Sequence, residues 1–470
     1  MKYILLFTFL LAFHFYSAQT LLSDSLLGTY GSNVFTSQGI PGAQYDVEVY
    51  KIIYTTLDVN DEPTIASGLL SIPQISCDLP AFVYCHGTVF EKEDVPSRFN
   101  SEGFLGAAAA SNGYLSIAPD YLGMGDSPGL HPYMHAETHG EASFHMIRAA
   151  EQFCYENDIV LNGQLFLTGY SQGGHAALAL LKYIQDYPAD DFVLSVEATV
   201  GGSGAYDISG EQYEMVMAES PYETGAYIPY VVFSYQSAYG DLYNSLDELF
   251  VAPYDETLPP LFDGTHSFNQ IQSAMPIIPN DIFHESVLQD LETDSLHPMN
   301  VALRDNDLYD WTPQTPLRMI YCTGDEQVAY QNSLKAEQFM NDNGAPDVTS
   351  LMAGTGGHGD CFEPYLLSTL VWFDQLTPDC ITGVEELEET LDWAVYPNPV
   401  DNVLYLSTES SIPLNLDMFI SDLTGKTVFE RSISTSDKLM ELDLRGLHQG
   451  IYMVHLETND QLMSKKIILK

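Results

Sequence analysis

The chain has 470 residues, and 16 Lys+Arg against 65 Asp+Glu give a formal charge of −49. Such a field repels phosphate backbones and anionic membrane surfaces, which excludes nucleic-acid binding as a function class. With 45% hydrophobic and 12% aromatic residues, the chain is too apolar for a disordered acidic polymer and has material for large cores.

In chain order, Met1-Lys2 is a short basic start, Tyr3 to Tyr16 is an almost unbroken apolar run, and small Ser17-Ala18 follow. This pattern predicts a secretory signal peptide over residues 1–19, cleaved near Ala18 or Gln19. The run is too short to cross a bilayer comfortably, and no later segment has transmembrane length, so the mature chain is expected to be exported without a membrane span. Tyr45 to Val59 and Thr64 to Ile72 form two amphipathic runs, read as an antiparallel hairpin. Apolar strand candidates follow at Ala81–Cys85, Tyr114–Ala118, Gln164–Gly169, Phe192–Val200, Leu317–Cys322 and Val348–Met352. Helical periodicity covers Ser101–Ser111, His139–Tyr155, Gln172–Tyr187, Val328–Asn341 and Phe362–Asp374. Alternation at this spacing predicts an α/β domain over residues 20–380, with a mostly parallel sheet between layers of helices. Gly204 to Pro316 breaks the rhythm without a strand; rich in Tyr and Phe, it is expected to be an inserted cap.

Residues 381–394 are expected to be an acidic linker, carrying Glu385-Glu-Leu-Glu-Glu389. Six short alternating runs follow within residues 395–470, between Val403 and Leu469, with turns at Asp422-Leu-Thr-Gly425 and His448-Gln-Gly450. They predict a small all-β sandwich. Val395-Tyr-Pro-Asn-Pro-Val400, Asp422-Leu-Thr-Gly-Lys426, Gly450-Ile-Tyr-Met453 and Lys466-Ile-Ile-Leu-Lys470 closely resemble the C-terminal sorting domain of the type IX secretion system. The resemblance implies partnership with that machinery and a secreted or cell-surface location.

Six cysteines, Cys77, Cys85, Cys154, Cys322, Cys361 and Cys380, show no metal-ligand spacing, so no metal site is expected. In an exported chain some should pair. Cys77 precedes a strand and Cys154 ends a helix, which would put both on the face of the sheet away from the catalytic loops. Cys322 and Cys361 flank loops on the other face. The pairs Cys77–Cys154 and Cys322–Cys361 are expected on that basis.

Two G-x-S-x-G motifs occur, Gly125-Asp-Ser127-Pro-Gly129 and Gly169-Tyr-Ser171-Gln-Gly173. A nucleophile elbow needs a strand entering a sharp turn that opens directly into a helix. Ser171 has both; Ser127 has neither and is read as a loop residue. This combination resembles the α/β-hydrolase family across roughly Tyr45 to Pro378. The resemblance implies an oxyanion loop at His86-Gly87-Thr88, with the Thr88 and Gln172 backbone N–H groups as donors. It also implies the order serine, acid, histidine. Asp325 after the strand Leu317–Cys322, with Glu326 as rival, and His358 in the loop Thr355-Gly-Gly-His358 fill those places. His86 is assigned to orienting its loop, because it precedes the serine.

Tyr121 to Tyr133 and Asp310-Trp311-Thr-Pro313 are similar to secretory lipases and related exported esterases. The implied activity is hydrolysis of small-molecule or lipid carboxylic esters through Ser171, His358 and Asp325, with no cofactor. A serine peptidase of the same fold and a catalytically silent surface adhesin are the alternatives.

Overall fold

A computed structural model describes residues 20–40, 42–189, 191–377, 392–409, 415–422, 426–434, 439–457 and 462–470. The chain divides into two compact units, Met1–Thr382 and Gly383–Lys470. The expected signal peptide and most of the acidic linker lie outside the described residues.

The first unit is built on one nine-stranded sheet. Its strands are β1 (Leu21–Tyr30), β2 (Val47–Leu57), β3 (Pro63–Pro73), β4 (Leu79–Cys85), β5 (Leu115–Pro119), β6 (Leu161–Tyr170), β7 (Ser195–Gly202), β8 (Leu317–Cys322) and β9 (Val348–Gly354). The spatial order is β1-β2-β3-β5-β4-β6-β7-β8-β9. β1, β2 and β3 pair antiparallel, and β3 meets β5 antiparallel. From β5 to β9 every pairing is parallel. Parallel strands covered on both faces read as continuous apolar runs, and all seven residues of β4 are buried. Helix Gln172–Asp186 buries Ala176 through Leu181 against one face, and helix Ser101–Ser111 buries Ala107 through Ala110 against the other.

Between β7 and β8 the chain makes only helices and loops, including Tyr227–Tyr239, Glu285–Thr293 and Pro298–Asp305. These form a core of their own, with Tyr230, Val232, Tyr235 and Leu249 packed against Phe90 and Met134 from the catalytic-side loops.

β1 was not expected. Leu21-Leu-Ser-Asp-Ser-Leu-Leu has no clean alternation, and the strand exists because its backbone extends the edge of β2.

The disulfides divide. Cys322 and Cys361 are bonded, with Cα atoms 5.8 Å apart. The expected Cys77–Cys154 pair does not form: Cys77 is disulfide-bonded, but Cys154 is a free, buried thiol. Lying on a shared face was not sufficient. Cys154 points inward from helix Ala136–Glu156 and packs in the apolar core with Ala150 and Phe153.

The second unit has a three-stranded sheet, β10 (Asp392–Tyr396), β11 (Val403–Glu409) and β14 (Leu439–Asp443). Its other sheet holds β12 (Asn415–Asp422), β13 (Thr427–Ser434), β15 (Gly450–Glu457) and β16 (Leu462–Leu469), in the order β13-β12-β15-β16. Every pairing within both sheets is antiparallel. Leu404, Leu406 and Leu442 from one sheet share a core with Ile420, Val454 and Ile467 from the other, which makes the sandwich. β10 begins inside the stretch expected to be linker.

Candidate active site

β6 runs directly into Ser171, and the next residue, Gln172, opens a helix. Ser171 has φ 59° and ψ −122°, a left-handed conformation that a non-glycine residue holds only when its surroundings impose it. Its N–H donates to the Gly202 carbonyl at the end of β7, 2.8 Å away. The turn is crowded: a Cβ on Gly169 would collide with the Gly173 carbonyl, and one on Gly173 with the Cys85 carbonyl. Glycine at both sites lets the helix sit against β4 and β6 closely enough to lift the serine to the sheet's edge.

β8 ends at Cys322 and delivers Asp325; β9 ends at Gly354 and delivers His358, the first residue of helix His358–Leu376. His358 Nδ1 lies 2.8 Å from Asp325 Oδ2 and 3.0 Å from Oδ1. Because a carboxylate only accepts, Nδ1 carries a hydrogen, and in the corresponding tautomer Nε2 is the nitrogen with the free lone pair. Oδ1 also accepts from the Gln327 and Val328 N–H groups, at 3.0 and 2.9 Å. Burial by itself would raise the Asp325 pKa. The hydrogen bond and charge of His358, with those two amides, outweigh it and hold the carboxyl below its ordinary value.

Glu326, the rival acid, has another task. Its Oε2 accepts the His358 backbone N–H at 3.0 Å and bonds nothing on the ring. Tyr170, just before the serine, donates its hydroxyl to the His358 carbonyl at 2.5 Å, and the two rings lie 5.0 Å apart. The end of β6 is thereby tied to the histidine loop.

As the first helical residue, Gln172 has an N–H with no intrahelical acceptor. Thr88 lies just beyond β4, next to Gly87, where an added Cβ would stand 3.7 Å from the Tyr170 carbonyl oxygen; the Thr88 hydroxyl bonds Tyr133 Oη at 3.0 Å. His86 is fully buried, stacked on Tyr121 with Nε2 3.2 Å from the Asp120 carbonyl. Ser127 is also fully buried, in a loop, where its Oγ accepts the Gly123 N–H at 3.0 Å.

Ser171 and Gln172 line a cavity of about 120 Å³. Tyr213, Tyr222, Ile228, Val231, Val232 and Leu303 from the segment between β7 and β8 line it, facing Tyr133, Met134 and Val328. Of the eight aromatics that crowd the start of that segment, Tyr213, Tyr222 and Tyr227 reach the cavity. Others support it from behind: Tyr230 stacks on Tyr133 with centroids 4.5 Å apart, and Tyr235 donates to the Met134 carbonyl.

Residues 98–374, more than half of the chain, match the secretory lipase family. The chain belongs to that family. Residues 394–470 match the secretion system C-terminal sorting domain, the type IX tail that the C-terminal motifs resemble. Among solved structures, a hydrolase from Legionella pneumophila is similar at 28% identity and TM-score 0.71, over 79% of this chain and all of that one. The rice cell wall degrading esterase LipA of Xanthomonas oryzae is similar at 26% identity and TM-score 0.69, over 76% of this chain and 98% of that one. Candida antarctica lipase A, at 17% identity and TM-score 0.57 over 78% of this chain and 84% of its own, shares the fold. No curated protein matches the chain significantly in sequence. This member of the secretory lipase family is thus an exported, secreted or cell-surface hydrolase acting on esters, and none of its described helices is long and apolar enough to cross a membrane.

Sequence reasoning missed how the site is braced. Tyr170 and Glu326 hold the histidine loop, and His131 and His139 close on the Gln172 side chain. The family-like run ending His131-Pro-Tyr133 was the available signal, but nothing local says that it folds onto helix Gln172–Asp186.

Proposed function

We propose that the protein hydrolyses carboxylic esters as a serine esterase, with Ser171 as nucleophile, His358 as general base and Asp325 as the group that holds the imidazole tautomer. The Asp325–His358 hydrogen bond, on loops that flank a serine held at positive φ, carries this reading. His358 Nε2 takes the Ser171 Oγ proton as Oγ adds to the ester carbonyl. The Thr88 and Gln172 N–H groups stabilise the oxyanion. The alkoxide leaves with the proton from His358; water, deprotonated by the same nitrogen, then releases the acid and frees Ser171.

The apolar cavity supports an aliphatic or aromatic acyl group as the part of the substrate held inside, with residues 204–316 acting as the cap that forms its wall. In the proposed organisation, residues 1–19 are a signal peptide removed on export, 20–380 the catalytic domain, 381–394 a linker and 395–470 the domain read by the type IX machinery.

The test is fluorophosphonate labelling of the folded protein with mass mapping, beside rates on p-nitrophenyl esters and a peptide-amide panel. Label at Ser171 with ester turnover is expected. Label elsewhere, or faster turnover of amides, rejects the assignment.

A further inference from the structure

Gln172 is 2% exposed, and burying a primary amide costs several kcal/mol unless its polar atoms find partners. Its Oε1 has none among the described residues, so the amide is held through Nε2 alone. Gln172 Nε2 lies 2.7 Å from His131 Nε2 and 3.2 Å from His139 Nε2, and both imidazoles are buried. The tautomer of His131 follows from its other nitrogen: Nδ1 is 2.8 Å from the Leu122 carbonyl, which only accepts, so Nδ1–H donates and Nε2 must accept. That also orients the amide, because turning it over would set its oxygen against an acceptor nitrogen. Burial pushes His131 down to about 3 and His139 well below its ordinary value, so both rings stay neutral; His131 Nε2 is then a bare acceptor, and His139 Nε2 accepts in the tautomer that places its hydrogen on Nδ1.

We propose that His131 and His139 are positioning residues that hold Gln172 so that its backbone N–H points into the oxyanion site. The inference rests on the assignment of that N–H as an oxyanion donor. Ser171 and Gln172 share one peptide plane, and Ser171 sits at φ 59°, from which a relaxed chain would rotate away. A side chain fixed at both amide hydrogens keeps the Gln172 Cα, and with it that plane, in register. The cap reaches the same device: Ser234, on helix Tyr227–Tyr239, donates to the His131 carbonyl at 2.8 Å.

The test compares His131→Leu, His131→Asn, Gln172→Met and the double variant His131→Leu/Gln172→Met with wild type and Ser171→Ala, using p-nitrophenyl butyrate kinetics and Tm. His131→Leu should lower kcat about 10- to 100-fold with KM within about twofold, since losing an oxyanion donor outright costs roughly 100- to 1000-fold. His131→Asn, whose amide oxygen can accept, should recover most of the loss. Gln172→Met keeps the backbone N–H and should match His131→Leu, and the double variant should fall no further. Wild-type kcat in Gln172→Met or His131→Leu, or equal losses in His131→Leu and His131→Asn that track Tm, would overturn the proposal while leaving the serine mechanism standing. If His131→Leu does not fold, Gln172→Met and His131→Asn decide. Activity that survives Ser171→Ala overturns both readings.

Discussion

Cys322 and Cys361 are joined 5.8 Å apart at Cα, three residues before Asp325 and three after His358. The bond staples the end of β8 to the first turn of helix His358–Leu376, so the loops that carry Asp325 and His358, the proposed acid and base, form one braced unit. A link across 39 residues removes unfolded-state entropy worth roughly 3–4 kcal/mol. Cys322→Ser is expected to lower Tm by several degrees and kcat more than KM. A variant with wild-type Tm would show that the bond does not brace the site.

Ser171→Ala should remain folded and lose at least about a thousandfold in esterase activity. Ser127→Ala should lose far less. Its buried Oγ only accepts the Gly123 N–H, so the cost should appear in stability, about 1 kcal/mol. Parallel assays of the two variants check this, and equal activity losses would contradict it.

The two neighbouring acids should separate cleanly. In Asp325→Asn the amide oxygen is kept by the Gln327 and Val328 N–H groups and the NH2 turns to His358 Nδ1, which reverses the ring tautomer and should cost kcat roughly a thousandfold or more. Glu326→Gln keeps an oxygen for the His358 N–H and should stay within about tenfold of wild type. Reversed magnitudes would move the catalytic acid to Glu326.

Val231 is half-buried on the cavity wall. Val231→Trp should shorten the accepted acyl chain. On p-nitrophenyl esters from acetate to decanoate, kcat/KM should drop at least about tenfold for the long chains and stay within about threefold for acetate. A uniform drop along the series would place the acyl group elsewhere.

Asp307 is buried beside Ser209, and burial, reinforced by the charges of Asp207 and Asp310, raises its pKa to about 6. The native state therefore holds this proton more tightly than the unfolded chain does. Folding is disfavoured progressively as pH rises from about 4 to 6, leaving a penalty on the order of 3 kcal/mol above that window. Asp307→Asn should raise Tm relative to wild type more at pH 8 than at pH 4.5. A difference independent of pH would rule out this titration.

The parallel strands from β4 to β9 and most of their helices were legible because each buries an apolar run whose period belongs to that element. Helix Ser101–Ser111 matches its expected bounds, and β8 does so at both ends. The G-x-S-x-G at Ser171 was legible for the same local reason, since strand, turn and helix are contiguous in the chain. The histidine helix begins at His358 rather than Phe362, because Asp360 caps its first turn by accepting the Gly357 N–H.

Local pattern therefore determined the sheet and the strand–turn–helix at Ser171, while resemblance to known families supplied the candidate acid and base and the sorting tail. Only the tertiary structure decided which groups face one another. It assigned the His358 ring to Asp325 and the His358 backbone to Glu326, left Cys154 a free, buried thiol, added β1 to the sheet, and folded His131 and His139 onto Gln172. Periodicity reports which side of an element is buried. The direction of a hydrogen bond or a disulfide depends on side chains brought together from distant parts of the chain, and only packing sets those separations.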